Sequence, residues 1–131
     1  MESLFILEHI GLAARNPIEL KEWYIEKLGA TVVFQIPQVP PAFLMNLGGM
    51  MIEIYNAASQ SDLVQDNRLG GWRHLALKVQ SLEKARDYLT SKGVVFNQPI
   101  KPAGGGGRVL FFNDLEGNLI HLTERLPGGF Q

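Results

Sequence analysis

Four side chains in this sequence have the types needed to do chemistry together: His9, Glu53, His74 and His121. They include every histidine in the chain, which has three. Neutral imidazoles with one carboxylate make a ligand set for a hard-to-borderline divalent cation. Imidazole suits Zn, Ni and Fe, and the carboxylate keeps the set open to Mn. The chain has no cysteine, which excludes disulfides, thiolate metal sites and a cysteine nucleophile. A fifth residue, Arg108, follows the four glycines Gly104 to Gly107 and is a candidate for holding a substrate carboxylate. Those glycines lack the Lys-Ser/Thr of a phosphate loop and precede a strand, so they read as a mobile loop or lid.

The elements that must position these residues are written twice. His9-Ile10-Gly11-Leu12-Ala13-Ala14 is echoed by His74-Leu75-Ala76-Leu77-Lys78-Val79. In the first copy a strand over 4–13 precedes a helix that Asn16-Pro17 starts, with Glu19 at the capping-box position, and Gly29 ends. Thr31 to Ile36 is β-branched and aromatic, hence a strand. Ala42 to Leu47 and Met50 to Tyr55 form a hairpin around Gly48-Gly49. In the second copy Ser81 caps a helix that Gly93 ends, and Val94-Val95-Phe96 is the next strand. Arg108 to Phe112 and Asn118 to Thr123 make the last hairpin, turned by Asp114-Leu115-Glu116-Gly117. Residues 57–71 lack periodicity and read as a linker, and the chain from Leu126 onward reads as a frayed tail.

The pattern is β-α-β-β-β twice over, giving an α+β protein: one domain over 1–131, with modules at about 1–56 and 72–126. Alternation places Ile10, Leu12, Ile52, Ile54, Leu75, Leu77, Ile120 and Leu122 against the helices. His9, Glu53, His74 and His121 then take the opposite sheet faces, which are expected to curl into a shared cup.

Composition narrows the partners. Hydrophobic residues make up 46% and charged residues 19% of the chain, an ordinary globular balance. A formal charge of -1 and the lack of a basic stripe argue against nucleic acid. No apolar run approaches the ~18 residues of a membrane span. Glu2 and Glu8, without a basic n-region, argue against a signal peptide, so a cytoplasmic protein is expected. An open sheet leaves strand edges to cover, which favours a homodimer.

The stretches HIGLAARNPIELKEWYIEKLGATVVF, MIEIYN, GWRHLALKV and FFNDLEGNLIHLTER resemble the vicinal oxygen chelate superfamily, the glyoxalase, bleomycin-resistance and extradiol-dioxygenase group. The resemblance runs over about residues 4–125. It implies two βαβββ modules forming an incomplete barrel around one divalent metal (Zn, Ni, Mn or Fe), with His9, Glu53, His74 and His121 at the four ligand positions. Metal-binding members usually carry Glu at the fourth position, where this chain has His121. That departure counts against a standard iron dioxygenase, and the turn Asp114-Leu115-Glu116-Gly117-Asn118 is also altered from the family's. The implied activity is that of a glyoxalase I-like isomerase or lyase, or an epimerase, acting by proton transfer on a small substrate with vicinal oxygens. The metal would serve as Lewis acid, with Glu53 or His121 as the base. The alternatives are a dioxygenase, a thiol transferase, or a metal-free binding protein of the bleomycin-resistance kind.

Overall fold

The computed structural model describes residues 3–127. The tail expected from Leu126 lies, from residue 128 on, outside the described residues. The chain divides into two units, Met1–Gln60 and Ser61–Gln131. Each is a βαβββ module with one helix and one four-stranded mixed sheet, so the α+β, two-module expectation holds.

The first unit contains β1 (His9–Ala14), α1 (Pro17–Leu28), β2 (Thr31–Ile36), β3 (Ala42–Leu47) and β4 (Met50–Asn56). Its strand order is β1-β4-β3-β2, with β1 parallel to β4 and the other neighbours antiparallel. Asn16 starts α1 because its side chain accepts the Glu19 amide at 3.2 Å, while Pro17 gives up no needed donor at the first position. Gly29 stops the helix in the left-handed region at φ 72, donating to the Ile25 carbonyl. Leu20 and Tyr24 of α1 are buried, as are Phe43, Met45, Ile52 and Ile54 of the sheet. Each such side chain contributes about 2 kcal/mol through burial, so packing rather than propensity holds this short helix.

The second unit repeats the plan with β5 (His74–Lys78), α2 (Leu82–Ser91), β6 (Lys101–Pro102), β7 (Arg108–Asn113) and β8 (Leu119–Glu124), in the order β5-β8-β7-β6. Ser81 caps α2 by accepting the Lys84 amide at 3.2 Å. A carboxylate oxygen of Glu124 accepts the Leu82 amide at 2.8 Å, satisfying a second orphan donor. Leu82 and Leu89 of α2 are buried, as are Leu110, Phe112, Ile120 and Leu122 of β7 and β8.

Four details differ from the sequence expectation. The first strand begins at His9 rather than Leu4, and Leu4 to Leu7 are exposed. Its partner β4 starts at Met50 after the Gly48-Gly49 turn, so residues before His9 run out of ladder. Val94 to Phe96 form no strand; Lys101–Pro102 takes the place beside β7. Phe96 instead packs its ring 5.4 Å from Phe112. The expected linker carries a 3-10 turn, Asp62–Gln65, and falls mostly in the second unit. The glycine loop is not loose: Ala103 donates to the Gly107 carbonyl, and Arg125 donates to the carbonyls of Gly104 and Gly106.

Candidate functional site

The ladder registers put the candidate donors on one face within each sheet. In the first unit His9 lies opposite Met51, and Glu53 lies opposite Gly11. His9 and Glu53 therefore sit on the face away from Ile52 and Ile54, two residues apart on a diagonal. In the second unit His74 lies opposite Leu119, and His121 lies opposite Ala76. This is the same diagonal on the same face, between the equivalent strands. The alternation expected from the sequence is the alternation found.

The second-unit pair is in direct contact. The His74 and His121 ring centroids are 4.4 Å apart, edge to face. Phe111, opposite His121 on β7, stacks on it at 4.7 Å with 20° between the planes. His121 is only 8% exposed, and among the described residues neither of its ring nitrogens has a hydrogen-bond partner. Burial, followed by the nearby His74 and Arg125, pushes its pKa down to about 4. The imidazole is thus neutral at physiological pH, with a lone pair that nothing in the described protein uses. A buried group in that state asks for an explanation, and a water or an ion is the usual one.

The histidines that open the two modules are oriented from outside. His9 Nδ1 lies 2.8 Å from Glu8 Oε1, and His74 Nδ1 lies 2.8 Å from Asn67 Oδ1. In both cases the oxygen accepts, so Nδ1 carries a proton, and in the neutral ring Nε2 keeps the lone pair. Glu53 is half-buried. Tyr55, two residues on, leans over Gly11, where an added Cβ would come within 3.2 Å of its ring.

Arg108 is elsewhere. It lies opposite Glu124 on the helix-packed face of the second sheet. Its guanidinium donates to both oxygens of Glu83 at 2.7 and 2.9 Å and to Glu124 at 2.8 and 3.1 Å. Those hydrogen bonds hold Glu83 down to about 2. The residue expected to hold a substrate carboxylate holds two of the protein's own, tying the start of α2 to the last hairpin.

Sequence reasoning missed Asn67, Glu8 and Phe111. Phe111 was open to the same alternation that placed His121. Glu8 gave only its adjacency to His9. Asn67 lies in an aperiodic stretch where no spacing signals a role.

The sequence profile of the Glyoxalase/Bleomycin resistance protein/Dioxygenase superfamily matches residues 6–122. No curated protein sequence matches. Solved structures of similar fold include a glyoxalase family protein from Enterococcus faecalis, 25% identical with a TM-score of 0.77, over 92% of this chain and 98% of that one. TioX from Micromonospora sp. ML1 is 18% identical with a TM-score of 0.69, covering 93% of this chain and 100% of its own. A mutant of the fosfomycin resistance protein FosX from Listeria monocytogenes, complexed with Mn(II) and 1S,2S-dihydroxypropylphosphonic acid, is 19% identical with a TM-score of 0.71, over 95% and 94% of the two chains. Among the described residues neither unit gathers three or more potential ligands by itself. The donor chemistry nonetheless fits a divalent ion: among the described residues the buried His121 ring nitrogens have no hydrogen-bond partner, and the neutral rings of His9 and His74 leave Nε2 as an acceptor.

Proposed function

Because the chain belongs to the glyoxalase/bleomycin resistance protein/dioxygenase superfamily, we propose that it is a divalent-metal-dependent isomerase or lyase, moving a proton on a small substrate with vicinal oxygens. The observation that carries this reading is the His121 imidazole beside His74, kept neutral and, among the described residues, without a hydrogen-bond partner. His9, Glu53, His74 and His121 would hold the ion, which can be Zn, Ni, Mn or Fe. When bound, it supplies Lewis-acid polarisation of adjacent oxygens. Three neutral imidazoles and one carboxylate leave a divalent ion about one positive charge, which favours an anionic substrate oxygen.

The chain's own residues supply the remainder. Phe111 and Tyr55 give apolar wall on the donor-bearing faces. Glu53 is the candidate base, as the one carboxylate in the set and a group able to take a proton from a carbon beside a polarised oxygen. His121 is the other candidate, a buried imidazole whose pKa is pushed down to about 4. A second reading, a metal-free binder of planar ligands, draws support from the ring cluster of Phe111, His74 and His121.

Metal analysis of protein purified without chelator, with His74→Ala beside it, tests the proposal. Stoichiometric metal in the wild type and its loss in the variant support it. A wild-type chain that stays metal-free under replete conditions favours the binder. With metal bound, solvent deuterium exchange into α-hydroxy-carbonyl compounds separates proton transfer from oxygen chemistry, which would consume O2 with Fe(II).

A further inference from the structure

We propose that Asn67 is a positioning residue for His74. Its side-chain oxygen fixes the His74 imidazole in the Nδ1–H form and leaves Nε2 as the donor atom. The inference rests on the metal reading above and deepens it by assigning an outer partner to one ligand.

The geometry is local to the second unit. Asn67 Oδ1 sits 2.8 Å from His74 Nδ1 across a seven-residue separation. An amide oxygen has no proton to give, so the ring nitrogen must donate. The contact is exposed and would be weak if the loop were free to wander. It is not free. Arg73, immediately before β5, donates Nη1 to the carbonyls of Leu63 and Asp66 at 3.2 Å each, and Nε to the Trp72 carbonyl at 2.9 Å. Asp66 in turn accepts the Arg68 amide at 3.0 Å and its guanidinium at 3.0 and 3.1 Å. The residues on either side of Asn67 are thus tied, and the arginine holding them immediately precedes His74 in the chain. The stretch that reads as a linker is a bracket.

The first unit has a counterpart. His9, equivalent to His74, has its Nδ1 engaged at 2.8 Å by Glu8. Two unrelated local structures, an adjacent residue and a clamped loop, leave the same ring nitrogen open on the two equivalent histidines. Packing alone does not demand that, because both rings are substantially exposed. A ligand that needs Nε2 does.

The experiment measures the His74 tautomer in the metal-free full chain by long-range 1H–15N correlation, at a pH where the imidazoles are neutral. With three histidines in the chain, single substitutions assign the signals. The wild type is expected in the Nδ1–H form. Asn67→Ala should move His74 to the Nε2–H form that an unconstrained imidazole prefers, and Asn67→Asp, which keeps an acceptor oxygen, should retain Nδ1–H. Zn(II) affinity, read by competition with a chelating dye, should fall about 10- to 100-fold in Asn67→Ala and recover most of that in Asn67→Asp. Arg73→Met, which releases the loop without touching Asn67, should reproduce the tautomer change. A normal Zn(II) isotherm with an unmoved tautomer in Asn67→Ala sinks this inference alone. A wild-type chain that takes up no Zn(II) sinks the metal reading and this inference with it.

Discussion

His121 sits where burial works against it. Both ring nitrogens are buried and without partners among the described residues, and removing such a group usually benefits stability unless something else needs it. The cost has a pH signature in the metal-free protein. The folded pKa is near 4 against an ordinary 6.5. Between those values the unfolded chain binds the His121 proton and the folded chain does not. Stability is therefore complete above about 6.5 and drains as pH falls toward 4. At roughly 1.4 kcal/mol per unit, the loss is at most about 3.5 kcal/mol. Urea midpoints across that range should show it. His121→Phe should flatten the profile and, at neutral pH, stabilise the metal-free protein by on the order of 1 kcal/mol, while abolishing metal uptake. If the variant is less stable and equally pH-sensitive, His121 is an ordinary packed histidine.

At the scale of elements, the last hairpin is locked by contacts that give no sequence signal. Gly107, at φ 94, leaves no room for a side chain: an added Cβ would lie 2.0 Å from the Glu124 carbonyl oxygen. Gly107→Ala should cost at least ~2 kcal/mol from the backbone conformation and the forced displacement together, seen as a lowered urea midpoint. Gly104 has open space around its Cβ position, so Gly104→Ala should change little. Arg108→Met should lower the melting temperature by unpairing Glu83 and Glu124 while leaving metal affinity unchanged; a variant that loses substrate affinity but not stability would restore the substrate-binding expectation. These contacts explain what was legible and what was not. The helices were readable from Asn16-Pro17, Gly29 and Ser81, because caps are local chemistry. Glu53 and His121 were placed on their faces by alternation, which is also local. Val94-Val95-Phe96 misled because β propensity needs a ladder partner, and the place beside β7 is taken by Lys101–Pro102. Arg108 misled because a glycine run before a cation suggests an open loop, whereas its partners lie 16 and 25 residues away in sequence.

For the whole molecule, the repeat carries more of the argument than any single residue. Each module sets two candidate donors on one sheet diagonal, between its first and last strands, and among the described residues neither unit gathers three. Two donors seldom retain a divalent ion against water, and four do. The fold was legible because the same pattern occurs twice; the reaction was not, because one fold hosts many chemistries and the chemistry lies in the site rather than in the fold. If one ion draws on both modules, binding is all-or-none with respect to either. Calorimetric titration of the metal-free wild type with Zn(II) should then give one ion per pair of modules. His9→Ala and His74→Ala should each remove high-affinity binding entirely rather than by half. Saturating metal should also raise the melting temperature in proportion to the logarithm of its concentration over Kd, about 2.7 kcal/mol at a hundredfold excess, and both variants should lose that shift. Two ions per chain, or half the binding surviving in either variant, would mean that each module binds metal by itself. In that case the two diagonals are independent sites, and the equivalence of the modules reflects shared ancestry of the fold rather than a shared ion.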